Sequence, residues 1–547
     1  MNIEIVLYFF TFICFVFAMT IITRYKVTIY AVIFSTLHFL IFYSFMFAIS
    51  GQWIRSLNFA SIIIICIYYT SRLTHHYYKK PLFASDFIVF FDKNNWNTLL
   101  ELKELIPIII LYIVVIAFGI FGYSYTPKTS IELRLLSLIF LICFIYINNY
   151  LSSRESVIKK WFKTFPDAKE INMNLSMSLK NMKYKTPNFG SSYLYFKNIL
   201  EQTAEYKISD LKPNLVLWLQ ESTIDASLYK GNLPQTDMFK GDFKFSKLNR
   251  VHTYGGDTFK SEFEIFTGLN ANDFVINSSL VFYNTTSHLK YSLPKILKEQ
   301  GYFTVALNPL TPSFANTGQA YKDLGFDVYL HPYELGYSQQ MKNLWRIPTS
   351  DLSECLKKIY TKFQDKQPIF IYMTTINEHA PYNKATISDF DLDKFYSKSN
   401  ALTLTDYYQR QIKLSNAAID FDKFMENTNH PYVFAYFGDH QASLGLSNDD
   451  LKLEFENKLF VTGFYVKGSP DIEPIKSYFN ELGELSLMPS VLLELMQIRP
   501  NEFFKAHYAM RKICGNVDDC KDKELVKSYK SYLYDYLKDA SENLENK

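Results

Sequence analysis

An aspartate and a histidine stand side by side, Asp439 and His440, where the apolar run YVFAYFGDH ends. Carboxylate and imidazole are the donor types that bind a divalent cation such as Zn²⁺. Two other apolar runs finish in the same way. NLVLWLQES delivers Glu221, and PIFIYMTTINEH delivers His379. A single acid or histidine after such a run is an ordinary turn residue. Three runs that bring these groups to one end describe the place where open α/β sheets bind their ligands, the carboxyl edge of the strands.

A nucleophile is available in HTYGGDTFKSEFEIFTGLN. Gly255 and Gly256 permit a tight turn, and Thr258 opens a helical stretch, TFKSEFEIFTGL. A helix N-terminus favours negative charge and offers free N–H groups to a phosphate. A threonine hydroxyl is a weak nucleophile at neutral pH, and a bound cation lowers its pKa as it lowers that of water. A threonine in this position also serves as an N-cap, so the residue by itself leaves both readings open.

The elements that must position these groups follow from the pattern. YFTVALNP comes after the helical HLKYSLPKILKEQ, and PIFIYMTTINEH after DLSECLKKIYTKFQ. YVFAYFGDH comes after SNAAIDFDKFMEN, and NKLFVTGFYVKG and LSLMPSVLLELMQI follow. Continuous apolar strands that alternate with helices predict a mainly parallel central sheet covered by helices. No internal repeat is present, and the terminal YKSYLYDYLKDASENLENK reads as a charged helix that frays.

The first part of the chain has a different character. Of the 547 residues 48% are hydrophobic, and the apolar ones are concentrated before Arg154. Five stretches stand out: Ile3–Thr23, Thr28–Ile49, Leu57–Thr70, Leu105–Tyr125 and Glu132–Leu151. Four are close to the ~20 residues a spanning helix needs, and the third is short. The first lacks a basic leader and a small-residue cleavage site, which argues for retention rather than removal as a signal peptide. The expected organisation is a transmembrane domain at 1–153, a linker with interfacial helices at 154–211, and a soluble catalytic domain at 212–547. The 75–104 stretch mixes aromatics with lysine and suits either the membrane interface or a plain loop. A net charge of +3 gives no argument for a nucleic-acid partner, and none is expected. Cys514 and Cys520 have the spacing of a small disulfide, or are two free thiols. Arg72, Lys79, Lys80 and Lys93 oppose Lys128 and Arg134 on the other side of the expected membrane, so the basic residues give no clean vote on orientation and, if anything, lean against an external C-terminal part.

NLVLWLQES, GGDTFKSEFEIFTG, NEHAPY and FGDHQASLG, in this order, resemble the alkaline phosphatase/sulfatase superfamily. More closely they resemble its membrane-anchored branch of phosphoethanolamine and phosphoglycerol transferases and lipoteichoic acid synthases. The resemblance implies a sulfatase-like α/β domain behind about five spans in the bacterial cytoplasmic (inner) membrane, with catalysis on the extracytoplasmic, periplasmic side. It implies Zn²⁺, with Mn²⁺ or Mg²⁺ as alternatives, held by Glu221, Thr258, Asp439 and His440. Thr258 would be the nucleophile that becomes phospho-threonine, and His379 would contact the phosphate or protonate the leaving group. The donor would be a membrane phospholipid and the acceptor an envelope glycan or glycolipid such as a lipopolysaccharide core. True sulfatases carry their nucleophile in a C/S-x-P-x-R element, whereas here FKSE follows Thr258. NPLTPSFANTGQAYKDLGF lacks the His and Arg that relatives often carry there, which leaves the head group open. A hydrolase of the same superfamily and a non-catalytic lipid-binding relative are the alternatives.

Overall fold

The computed structural model describes residues 3–24, 29–91, 127–154, 171–180, 184–337, 346–388, 390–475 and 482–537, with isolated residues between 106 and 113 and at 156–157. The chain divides into two units, Met1–Lys183 and Tyr184–Lys547.

The first unit is helical. Its helices include α1 (Ile3–Arg24), α2 (Ile29–Ser50), α3 (Trp53–Tyr78), α4 (Ile131–Ser152) and the short α5 (Ile171–Lys180). Among the described residues α2, α3 and α4 are long and apolar enough to cross a membrane, with mean hydropathies of 2.0, 1.3 and 2.0. Five spans were expected. The first stretch is helical as α1, whereas most of Leu105–Tyr125 lies outside the described residues. The third stretch is longer than its apolar run because α3 carries Ser56, Asn58 and Ser61 on a buried face, where Asn58 Nδ2 donates to Thr11 Oγ1 at 2.7 Å. In contrast, α4 leaves Ile139, Ile142 and Tyr146 exposed, as a lipid-facing surface requires. α5, inside the expected 154–211 linker, packs on α2, α3 and α4 with Asn172 and Ser176 hydrogen-bonded to His38 at 2.8 and 2.7 Å.

The second unit is built on an eight-stranded sheet. Its strands are β1 (Asn214–Gln220), β2 (Phe245–Arg250), β3 (Phe303–Leu307), β4 (Val328–Leu330), β5 (Ile369–Thr374), β6 (Tyr432–Gly438), β7 (Val461–Gly468) and β8 (Gly483–Glu484). Their order is β4-β3-β5-β1-β6-β7-β2-β8. Among them β7 alone runs against the rest. NLVLWLQ is apolar throughout because β1 lies between β5 and β6 and is covered on both faces. Leu215, Leu217 and Leu219 enter one core, and Val216 and Trp218 enter the other. The helices that matter to the site are α6 (Leu194–Gln202), α7 (Thr258–Thr267), α8 (Thr349–Phe363) and α9 (Lys398–Glu426). Part of the expected linker belongs to this unit, since Phe196 and Leu200 of α6 are buried in its larger core.

The topology explains where the chemistry gathers. β1, β2, β5 and β6 all point the same way, so the segments after them leave from one edge of the sheet. Those segments carry Glu221, the turn to Thr258, His379, and Asp439–His440. Gly438 is required at this edge, because a Cβ there would meet Thr223 O at 1.8 Å.

Candidate active site

Glu221 follows β1 and is buried, with its backbone N–H donating to Thr375 Oγ1 at 3.0 Å. Its Oε1 accepts from Ser222 Oγ at 2.7 Å, and its Oε2 accepts from the Thr258 hydroxyl at 3.2 Å. Asp439 is held by one oxygen: Oδ1 accepts from the backbone N–H of Ser222 and of His440, both at 2.8 Å. His440 is fixed by its Nδ1, which donates to Gln441 O at 3.0 Å. A carbonyl can only accept, so the proton sits on Nδ1. In the neutral ring Nε2 therefore turns a lone pair toward Asp439 Oδ2 at 3.2 Å and Glu221 Oε1 at 3.6 Å.

This arrangement sets acceptors against one another. Asp439 Oδ2 and His440 Nε2 are buried and make no hydrogen bond. Donor atoms of Glu221, Asp439 and His440 all lie within 4.8 Å of one another. Buried acceptors without donors are costly unless a cation lies between them. Burial, with the charge of Asp439 beside it, pushes the Glu221 carboxyl well above its usual range. The donor set, two carboxylates and one imidazole with a hydroxyl alongside, fits Zn²⁺ and also accommodates harder cations.

Thr258 is the first residue of α7. The chain reaches it through Gly255 and Asp257, which have φ of 68° and 61° in the left-handed region. The turn is tied to the cluster, since Gly255 N donates to Gln441 O at 3.0 Å. One turn on, Ser261 Oγ donates to Asp439 O at 2.6 Å. Glu262 anchors the same helix to the sheet. Its Oε1 accepts from Tyr321 and Tyr372 hydroxyls at 2.6 and 2.7 Å, and burial raises its carboxyl to about 7.

His379 is half-buried, and its Nδ1 donates to Ala380 O at 2.8 Å. Burial lowers its pKa to about 4, and the nearby charges of Arg346 and Arg410 act in the same direction. Its neighbour Glu378 is buried, with Oε1 accepting from Thr349 Oγ1 of α8 at 2.8 Å and Oε2 without a partner. Glu221, Thr258, Asp439 and His440 thus meet at one point, and His379 leaves the same edge of the sheet after β5. Sequence reasoning passed over Glu378, which was legible in NEHAPY as a second ionisable group beside His379. It also passed over Arg346 and Arg410, which no local pattern marks.

An α/β sheet with a threonine hydroxyl and a carboxylate–imidazole cluster at its carboxyl edge defines a class of metal-ready sites with a built-in hydroxyl. Residues 213–470 match the family model described as Sulfatase. An uncharacterized protein of Haemophilus influenzae is 32% identical over 513 residues, covering 90% of this chain and 92% of that protein. Lipoteichoic acid synthase 1 of Bacillus subtilis is 27% identical over 154 residues, covering 28% of this chain and 23% of that protein. Among solved structures, the phosphoglycerol transferase GacH of Streptococcus pyogenes, in complex with sn-glycerol-1-phosphate, aligns with a TM-score of 0.51 and 17% identity. The alignment covers 63% of this chain and 91% of that one, a likeness of fold. The chain belongs to one family with the Haemophilus influenzae protein, and its residues 213–470 form a sulfatase-family domain.

Proposed function

We propose that the protein is a metal-dependent transferase that moves a phospho-alcohol head group, phosphoethanolamine or phosphoglycerol, from a membrane phospholipid to an envelope glycan or glycolipid. The observation that carries this reading is the Thr258 hydroxyl at the start of α7, hydrogen-bonded to Glu221 beside the unpartnered acceptors of Asp439 and His440. The partial relative named a lipoteichoic acid synthase, and the fold shared with a phosphoglycerol transferase, support head-group transfer over sulfate chemistry.

Glu221, Asp439, His440 and Thr258 would hold the cation, Zn²⁺ or in its place Mn²⁺ or Mg²⁺, whose charge eases deprotonation of the hydroxyl. Glu221 Oε2, already the acceptor of the Thr258 proton, takes it as Oγ1 attacks phosphorus. The bond from phosphorus to the diacylglycerol oxygen breaks. The positive end of the α7 dipole, at whose first residue Thr258 stands, favours the developing negative charge. His379 is neutral by itself, and the approach of a phosphodiester anion raises its affinity for the proton it then gives to the leaving oxygen. In the second half His379 takes the proton of an acceptor hydroxyl as its oxygen attacks the phospho-threonine, the phosphorus–Oγ1 bond breaks, and the proton held by Glu221 returns to Oγ1 of Thr258.

The same reading assigns residues 1–153 to a multi-pass domain of about five spans in the bacterial inner membrane, 154–211 to the connection, and 212–547 to catalysis. The Cys514–Cys520 disulfide supports an extracytoplasmic location for catalysis. The test is to supply the full-length protein in detergent with head-group-labelled phospholipid, with and without envelope glycolipid. Label that passes to the glycolipid supports transfer. Label released equally without acceptor replaces transfer with hydrolysis.

A further inference from the structure

The segment Asn377–Pro381 carries Glu378 and His379 at the edge of the sheet, and every backbone carbonyl in it is engaged. Arg346 Nη1 donates to Asn377 O and His379 O at 3.4 and 2.7 Å, and its Nη2 to Ala380 O at 3.1 Å. Arg410 Nη1 donates to the same Asn377 O and His379 O at 3.3 and 2.8 Å, and its Nη2 to Pro381 O at 2.8 Å. The remaining carbonyl, of Glu378, accepts from Tyr382 Oη at 2.8 Å. Arg410 is itself oriented by a paired contact with Asp406, at 3.1 and 2.9 Å, one turn earlier on α9. The two arginines come from regions about thirty residues before and after the segment.

A surface loop can leave its carbonyls to water. Here two planar guanidinium forks, from opposite directions in the chain, converge on the carbonyls of the segment that carries the imidazole. A guanidinium fixes two acceptors at once, which an ammonium cannot do. We infer that Arg346 and Arg410 are positioning residues: together they clamp Asn377–Pro381 and so set the place and ring orientation of His379. The inference rests on the reading of His379 as the group beside the transferred phosphate. The bonds named here run to the protein's own carbonyls, so the clamp acts through His379.

The test uses full-length protein in detergent micelles, a fluorescent diacyl phospholipid as donor, envelope glycolipid in excess as acceptor, and release of fluorescent diacylglycerol as readout. Arg346→Gln and Arg410→Gln should each lower kcat on the order of 100-fold, the effect of a small misplacement, while KM stays within about threefold. Arg410→Lys keeps the charge without the fork and should not restore kcat. In a His379→Ala background the same arginine changes should cost almost nothing further. Losses that multiply in that background, or that follow a fall in thermal midpoint, overturn the clamp. If His379→Ala itself leaves activity intact, the catalytic reading of His379 fails. The clamp is then judged by the ¹³C-histidine ring resonance that disappears in His379→Ala. That resonance must shift in both arginine variants and stay in place in the surface control Lys230→Gln, and an unmoved resonance in the arginine variants rejects the clamp.

Discussion

Among the described residues two histidine–carboxylate clusters lie in the second unit, and they are built to opposite ends. In each, three donor atoms fall within 4.8 Å of one another: Glu221, Asp439 and His440 in one, His252, Glu484 and Asp518 in the other. By composition they are equal candidates for a metal. In the second, His252 donates from Nδ1 to Glu264 at 2.8 Å and from Nε2 to Asp518 at 3.1 Å. Burial alone would lower its pKa, but the facing charges of Glu264 and Asp518 outweigh burial and raise it well above the usual value. Glu484 is likewise occupied, with Oε2 accepting from Val517 N at 2.6 Å and Oε1 from Ser486 Oγ at 2.6 Å. That cluster is a closed ion network that joins the end of β2, α7 and the loop between Cys514 and Cys520. The first cluster instead keeps a bare imidazole nitrogen against a bare carboxylate oxygen. Unsatisfied atoms, rather than the count of acids and histidines, separate a candidate site from a brace.

The comparison can be broken at its strongest point first. Thr258→Ala should lower head-group transfer by at least about 10³-fold, the scale of removing a nucleophile, with little change in thermal midpoint. Transfer at the native rate would remove Thr258 from the chemistry. Next, Asp439→Asn should lose stoichiometric metal, measured by elemental analysis of the purified protein, together with about 10²-fold or more in activity. Asp518→Asn should keep its metal and most of its activity. Equal metal loss in the two variants would erase the distinction between the clusters.

The brace predicts stability rather than activity. The native pKa of His252 is raised, so its contribution is fully present below about pH 6.5 and fades as pH rises through the higher folded value. His252→Gln should therefore cost about 3 kcal/mol in chemical denaturation at pH 6, the scale of an opened buried pair, and progressively less in alkali. A penalty independent of pH would mean that His252 is not held as an imidazolium. The smallest effect is expected at the disulfide. Cys514→Ser with Cys520→Ser should cost about 2 kcal/mol, as a short closed loop would, and leave metal content unchanged.

Sequence and structure agree most closely where one physical demand shapes a continuous stretch. A central strand covered on both faces must be apolar throughout, so β1, β5 and β6 could be read directly, and the polar residues that stop them lie at the site. The turn before Thr258 was visible because left-handed backbone calls for residues such as Gly255. Groups held by distant segments left no such trace. His252 stands in the same quoted stretch as Thr258, yet its partners are at 264 and 518. Arg346 and Arg410 bind carbonyls, which every residue has, so no side-chain pattern announces them. β2, β4 and β8 escaped because they are short or mixed in polarity at the sides of the sheet. α3 appeared short because a helix packed inside a bundle can carry Ser56 and Asn58 where a lipid-facing helix such as α4 cannot.

The measurement that bears most directly on the whole account is peptide mass spectrometry of the full-length protein after incubation with phospholipid donor and no acceptor. The account predicts a phospho-alcohol adduct on the peptide that contains Thr258, lost on addition of acceptor glycolipid and absent from Asp439→Asn. Donor turnover with Thr258 unmodified, or an adduct on a different residue, would contradict it.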